Sequence, residues 1–279
     1  MSMYADDKRF EDFHAIFGGV RKPIIGMVHL LPLPGSPLYD GAGLESIIER
    51  ALRDLEALEE GGVDAVQVEN FSDPTYSQGT AYPELIAALS IIADRLVQVT
   101  SLPMGICLLA DPQAGLAVAH AVGAKFVRAT FFSEASVDVS GLALPKPHDL
   151  LRYRKFLDPS IKVFADVHIK HSAPLAQRPI GDSALDAKYF LADGIIISGT
   201  HTGKEVKMDD LVAVKEAVGE FPVLLGSGFR AEQADVMFSV ADAAVVGTSV
   251  KFDGVSANPV DVARVKDLMQ AVKAVRDSI

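Results

Sequence analysis

Three short runs in the C-terminal half decide the fold: Gly194-Ile195-Ile196-Ile197-Ser198, Pro222-Val223-Leu224-Leu225-Gly226 and Ala243-Ala244-Val245-Val246-Gly247. Each is apolar almost throughout. A strand reads this way when both faces are covered, as in a parallel sheet flanked by helices. Further strand-like runs precede these three, at residues 23–29, 65–70, 104–109, 126–130 and 161–168. Longer helical patterns separate them. The clearest is residues 44–60, where Leu44, Ile47, Ile48, Ala51, Leu52, Leu55 and Leu58 share one face and Gly61-Gly62 stops the helix. The others are residues 82–98, 112–122, 149–157, 182–192, 208–218, 231–240 and 259–275.

Eight such units of about 35 residues predict a (β/α)8 barrel, a TIM barrel with a parallel eight-stranded core. No linker divides residues 1–279, so a single domain is expected. The rival is a doubly wound open sheet, which usually has a glycine-rich dinucleotide turn after its first strand. Here that strand runs into Leu30-Leu31-Pro32-Leu33-Pro34-Gly35. Two strand-to-helix connections, residues 131–148 and 169–181, are longer than closure requires. They read as lids over the site or as subunit contacts.

Composition narrows the function. The formal charge is -11 and no basic run occurs, which argues against nucleic acid and against an anionic membrane surface. The single cysteine, Cys107, allows no intrachain disulfide. Residues 1–13 do not read as a signal peptide, and no apolar stretch approaches bilayer length. A cytoplasmic protein is expected. The mean hydropathy of +0.24 suggests a large core or a buried subunit contact, and a homo-oligomer.

Residues at the C-terminal ends of barrel strands point into the active site. Here they form a polar ring: His29; Glu69 and Asn70; Cys107 and Asp111; Arg128 and Thr130; Asp166, His168 and Lys170; Ser198 and Thr200; Ser227; Thr248 and Ser249. On strand five the two-residue period puts Asp166, His168 and Lys170 on one face and Val163, Ala165 and Val167 on the other. Three ionisable groups facing inward cost desolvation unless they are paired or used. They are candidates for acid/base work, with Glu69 and His29 as a facing pair. The alternative is a buried pair that only holds the strand end. Gly226-Ser227-Gly228 and Gly247-Thr248-Ser249 end strands seven and eight, where this fold holds phosphate. Asn70, Arg128, Ser198 and Thr200 are candidate substrate contacts. His29, Glu69 and Asp166 form a carboxylate-rich set that would suit Mg2+, a weaker reading. Cys107 reads as a small interior residue.

The stretch Gly26-Met27-Val28-His29-Leu30-Leu31-Pro32-Leu33-Pro34-Gly35-Ser36-Pro37 resembles the opening signature of the BtpA family, which includes the SgcQ-type proteins. The resemblance continues at Val68-Glu69-Asn70-Phe71, at Ala165-Asp166-Val167-His168-Ile169-Lys170-His171, at Gly226-Ser227-Gly228 and at Val246-Gly247-Thr248-Ser249. It implies membership among the phosphate-binding barrels, and the family takes its name from a photosystem I biogenesis factor. The leading expectation is an enzyme acting on a small phosphorylated metabolite of sugar-phosphate type, as lyase, isomerase or transferase. The alternatives are a non-catalytic photosystem I biogenesis or assembly factor, and a ligand-binding regulator on the same barrel.

Overall fold

The computed structural model describes residues 8–279; residues 1–7 of the charged N-terminal segment lie outside the described residues. Eight parallel strands close into one barrel: β1 (Ile24–His29), β2 (Ala65–Glu69), β3 (Met104–Cys107), β4 (Phe126–Ala129), β5 (Lys162–Val167), β6 (Gly194–Ile197), β7 (Val223–Leu225) and β8 (Ala243–Val246), with β8 pairing back onto β1. All eight apolar runs are therefore barrel strands. From β4 onward, each strand stops just before the polar residue or glycine that follows it. Helices Pro112–Val122 and Met208–Val218 sit where the periodicity puts them. Helix Leu44–Gly61 is stopped by Gly62 in the left-handed conformation. The segment after β7 is shorter than its pattern: a 3-10 turn, Ala231–Gln233, and one short helix, Ala234–Phe238.

Two cores result. The outer one lies between strands and helices and takes Val28, Val66, Val163, Ile195 and Val223. The inner one fills the barrel with Ile25, Met27, Phe126, Phe164, Ile196 and Leu224. A helix that the periodicity does not reveal, Arg9–Ile16, seals the lower end: Phe13 meets Phe164 edge-on at 5.6 Å between ring centres, and Phe17 lies 6.1 Å from Phe126. At eight residues it is too short to display a helical period.

The lower rim is clamped three times by one device. Asp64, Asp193 and Asp242 each precede a strand and accept an N–H from the first or second residue of its neighbour: Ile24 at 2.8 Å, Val163 at 2.8 Å and Val223 at 2.9 Å. A cation then covers each carboxylate: Arg276, Arg154 and Lys215 respectively. At the upper rim the two long connections pair with each other. Ser136–Asp138 forms an antiparallel hairpin with Gly141–Ala143, and Ala173–Pro174 adds to its other edge. The result is a three-stranded flap over one side of the mouth.

Candidate functional site

The inward positions of β1 to β5 change character along each strand. Apart from Gln67, apolar residues and Gly105 fill the lower layers, and His29, Glu69, Cys107, Arg128 and Asp166 fill the upper one. Register sets His29 beside Glu69, and Glu69 beside Cys107. Arg128 reaches across to β5 and donates from Nε and Nη2 to both oxygens of Asp166, at 2.7 and 2.8 Å, with both side chains buried. Its Nη1 stands 4.0 Å from Glu69 Oε2. Burial works against the guanidinium charge, but Asp166 outweighs it and holds Arg128 firmly charged. Arg128 is thus the anchor of the cluster, and Asp166 is its counter-ion.

The alternation expected on strand five stops one residue early. The strand ends at Val167, and His168 takes a positive φ of 45°. This turns His168 out of the face of Asp166. Its N–H donates to Glu134 Oε1 at 2.6 Å, and its Nε2 lies 3.3 Å from Ser183 Oγ, which itself donates to Glu134 Oε2 at 2.6 Å. His168 therefore belongs to a lock between the flap and the helix Ile180–Tyr189. Lys170, after the turn, lines the barrel mouth again beside His29, Glu69 and Arg128. Asp166 pairs with Arg128 through both oxygens, and not with His168 or Lys170 of its own strand end. Burial lowers the Lys170 pKa, Arg128 lowers it further, and Glu69 and Asp166 oppose them.

His29 is fixed on three sides. Its ring stacks on Phe71, 4.1 Å between centres and 12° from parallel. Nδ1 donates to Ser256 O at 3.3 Å, which leaves the Nε2 lone pair free. Gly247 covers the ring edge; a Cβ there would stand 2.9 Å from Cε1, closer than such contacts allow. Burial pushes His29 well below the ordinary imidazole value, with Lys251, Lys170 and Arg128 pushing the same way, so the ring is neutral. Cys107 is fully buried and hydrogen-bonded to Glu69, and burial pushes its thiol well up, so it stays protonated.

On the side of β6 to β8 a cavity of about 740 Å³ opens between the three loops, lined by Gly203, Lys204, Gly228, Thr248 and Ser249. Arg230 and Arg264 face it too, as do Glu232 and Asp267. The N–H groups of Gly228, Thr248 and Ser249 have no acceptor among the described residues. Gly228 has φ +72°, and a Cβ would collide with the carbonyl of Lys204, so only glycine fits. Other members of the expected phosphate set are used inside the protein. The Gly226 N–H donates to Ile197 O at 2.7 Å, and Ser227 Oγ donates to Lys204 O at 3.2 Å. A small inner cavity of about 30 Å³ shares Thr202, Gly203, Gly228 and Thr248 with the large one and reaches His29, Glu69, Arg128 and Lys170.

The expected substrate contacts divide. Asn70 is buried, and its Oδ1 accepts from the Leu109 N–H at 2.9 Å. Thr200 is exposed, with Oγ1 3.2 Å from His201 Nδ1. Ser198 Oγ is a buried atom without a partner among the described residues, beside an open groove it shares with Lys170. The set His29, Glu69 and Asp166 does not gather as metal ligands: both Asp166 oxygens bind Arg128, and no group of three His, Cys, Asp or Glu is placed to hold a metal among the described residues.

Several supporting residues escape a reading of the sequence. Ser256 holds both His29 and Thr248, the latter at 2.7 Å between hydroxyls. The segment that carries Ser256 is pinned from below by Lys251, wholly buried, whose Nζ donates to Asp54 Oδ2 at 2.8 Å, while Asp54 Oδ1 accepts the Val260 N–H. Asp54 and Lys251 are far apart in sequence, so no local pattern marks them. A polar position inside the apolar face of helix Leu44–Gly61 was the one signal of Asp54.

Comparison with known proteins agrees with this architecture. The BtpA family model matches residues 20–274. An uncharacterised protein of Thermococcus kodakarensis is 41% identical over 92% of this chain and 98% of its own length. The photosystem I biogenesis protein BtpA of Synechocystis is 36% identical over 90% of this chain and 88% of its own. Among solved structures, (S)-3-O-geranylgeranylglyceryl phosphate synthase from Thermoplasma acidophilum, in complex with sn-glycerol-1-phosphate, superposes with a TM-score of 0.58 at 16% identity, covering 95% and 98% of the two chains. Thiamine phosphate pyrophosphorylase from Pyrococcus furiosus superposes with a TM-score of 0.56 at 17% identity, covering 91% and 96%. The structural neighbours share the barrel, and the sequence match runs through the motifs that build its mouth: the chain belongs to the BtpA family.

Proposed function

We propose that this barrel is an enzyme acting on a small phosphorylated metabolite of sugar-phosphate type. One observation carries the reading: the three amides without acceptors among the described residues, at Gly228, Thr248 and Ser249, line a cavity that adjoins the inner cavity of ionisable groups, with Gly228 and Thr248 common to both. Backbone N–H groups aimed into a loop concavity favour an anion, and Lys204, Arg230 and Arg264 add positive charge. Gly226, Ser227 and Gly247 support that cradle from beneath. The phosphate group would sit in the larger cavity and direct the rest of the ligand toward Glu69, His29 and Lys170. There Glu69 supplies a carboxylate, neutral His29 a lone pair at Nε2, and Lys170 an amine.

The photosystem I biogenesis protein BtpA of Synechocystis suggests a second reading, an assembly factor. The flap favours it, because Val139 is 92% exposed and Leu144 64%. A homo-oligomer would use the same surface. No helix among the described residues is long and apolar enough to cross a membrane; a cytoplasmic setting is part of the proposal.

The test is a thermal-shift panel pairing phosphorylated metabolites with their dephosphorylated counterparts. A ligand that binds only the folded state raises the melting point in proportion to RT ln(1 + [L]/Kd). The enzyme reading expects at least one phosphorylated compound to stabilise the protein where its partner does not. A flat response across the panel favours the assembly factor.

A further inference from the structure

We propose that Lys170 is a nucleophilic lysine that condenses with the carbonyl group of a phosphorylated aldehyde or ketone to form an imine. The inference deepens the phosphate-site reading and rests on it.

The first ground is position. Lys170 lines both the inner cavity and the open groove above it, so a ligand anchored at Gly228 and Thr248 can reach it from the mouth. The inner cavity, at about 30 Å³, has room for about two water-sized groups. It fits a carbonyl oxygen and not a ring.

The second ground is the absence of a partner. The other lysines removed from solvent are each committed. Lys22 donates to Ala241 O at 2.7 Å, Lys215 to Asp242 at 2.6 Å, Lys162 to Asp12 at 2.8 Å and Lys251 to Asp54 at 2.8 Å. Lys170 has no hydrogen bond and no ion pair among the described residues, although two carboxylates stand in its neighbourhood. Asp166 is consumed by Arg128 through both oxygens, and Arg128 also approaches Glu69. The amine therefore faces a guanidinium whose charge disfavours its own. Burial acts in the same direction, so the neutral, nucleophilic form is promoted.

The chemistry closes without a further reagent. The Nζ lone pair adds to the carbonyl carbon, and the C=O π electrons move to oxygen. Glu69 takes a proton from the new ammonium and returns it to the oxygen, which gives a carbinolamine. A second proton, from solvent, converts the hydroxyl to water, which leaves with the C–O bonding pair as the nitrogen lone pair forms the C=N bond. The iminium N–H then gives a proton back to solvent. Amine plus carbonyl gives imine plus one water, and Glu69 ends as it began. The imine then withdraws electrons from the adjacent carbon, which suits bond cleavage or proton abstraction there.

The experiment uses the full chain. It is incubated with glyceraldehyde 3-phosphate or, separately, with glyceraldehyde, then reduced with sodium borohydride and mapped by peptide mass spectrometry. The expected result is a reduced adduct on Lys170, about tenfold or more above any other lysine, and about tenfold or more above the level reached with glyceraldehyde, because the phosphate holds the carbonyl in place. Inorganic phosphate should protect Lys170. Lys170→Arg, which keeps the cation but cannot form an imine, should lose the adduct. If that variant does not fold, the protection experiment on the wild type serves instead. Adducts scattered over surface lysines with no enrichment at Lys170, or equal labelling by the two aldehydes, would overturn the proposal. A melting-point rise with inorganic phosphate separates the two readings: a rise with no Lys170 adduct overturns the imine alone, whereas no rise and no adduct overturns the phosphate site as well.

Discussion

At the lower rim of the barrel, Asp64, Asp193 and Asp242 each hold a strand N–H and a cation, so every one of these carboxylates is spent on structure. At the upper rim, Glu69 and Lys170 lie within one cavity; Glu69 has only the Cys107 thiol and a share of Arg128 at 4.0 Å, and Lys170 has no ion pair among the described residues. The same barrel supplies both ends. Between them, apolar layers give way to the Arg128–Asp166 clamp. The difference separates ionisable residues that finish the fold from ionisable residues that the fold leaves open. Open groups in a low-dielectric cavity cost stability, and barrels place such groups where ligands bind.

The largest expected effect lies in the aromatic seal. Phe164→Ala should cost about 3–5 kcal/mol, the range for a large buried aromatic, because Phe13 and Phe126 both pack on that ring. Urea unfolding measures it, and ligand affinity in the folded fraction should not change. An altered affinity would join two ends that the barrel core keeps apart.

Next comes the clamp. Arg128→Met should cost about 3 kcal/mol or more, because it leaves Asp166 buried without its cation. The double variant Arg128→Met with Asp166→Leu should recover most of the loss. A double variant as unstable as the single one would mean that packing, not charge, dominates there.

A matched pair of smaller changes sets the two rims side by side. Asp242→Asn should cost about 1–3 kcal/mol, since a charged acceptor of a backbone N–H and of Lys215 is lost. Glu69→Gln should cost about 0.5 kcal/mol or less, or stabilise, as is common for groups held open at functional sites. Both are read from urea unfolding curves, and equal losses at the two rims would erase the distinction.

A pH effect sets the neutral ring of the mouth against solvent. His29 has its pKa depressed in the folded state, so below the unfolded imidazole value, about 6.5, the unfolded chain binds a proton that the folded protein refuses. Its contribution is intact above that pH and is lost as pH falls toward the folded value. His171 carries the same sign, from burial first and then Lys170 and His201. His29→Asn should flatten part of the decline in unfolding free energy between about pH 7 and pH 5, measured in urea. An unchanged slope would place the effect on His171 and the carboxylates.

The fold was legible because strands buried on both faces appear as unbroken apolar runs, such as Ile195-Ile196-Ile197 and Ala244-Val245-Val246. The mouth was partly legible: Glu69, His29, Arg128 and Asp166 do share one layer. Who pairs with whom was not. The Arg128–Asp166 clamp depends on register between two strands, and the two-residue period on strand five assumed an extended backbone where His168 turns left-handed. Long connections were visible as length alone. The pairing of Val137 with Ala173 across two of them is a tertiary event with no local signature.

The proposed activity and the proposed imine chemistry both rest on a proposed phosphate site in the loops after β6, β7 and β8, and calorimetric titration with glycerol phosphate probes it without any assumption about the reaction. Glycerol serves as the control in the wild type, and Gly228→Val as the variant. The side chain added at position 228 would collide with the Lys204 carbonyl and displace the cradle without touching the strands. The expected result is saturable binding of glycerol phosphate, none of glycerol, and a loss of about tenfold or more in affinity for the folded variant, the scale of one or two charge-assisted hydrogen bonds. Equal binding by wild type and variant, or no discrimination between the two ligands, would refute the phosphate site.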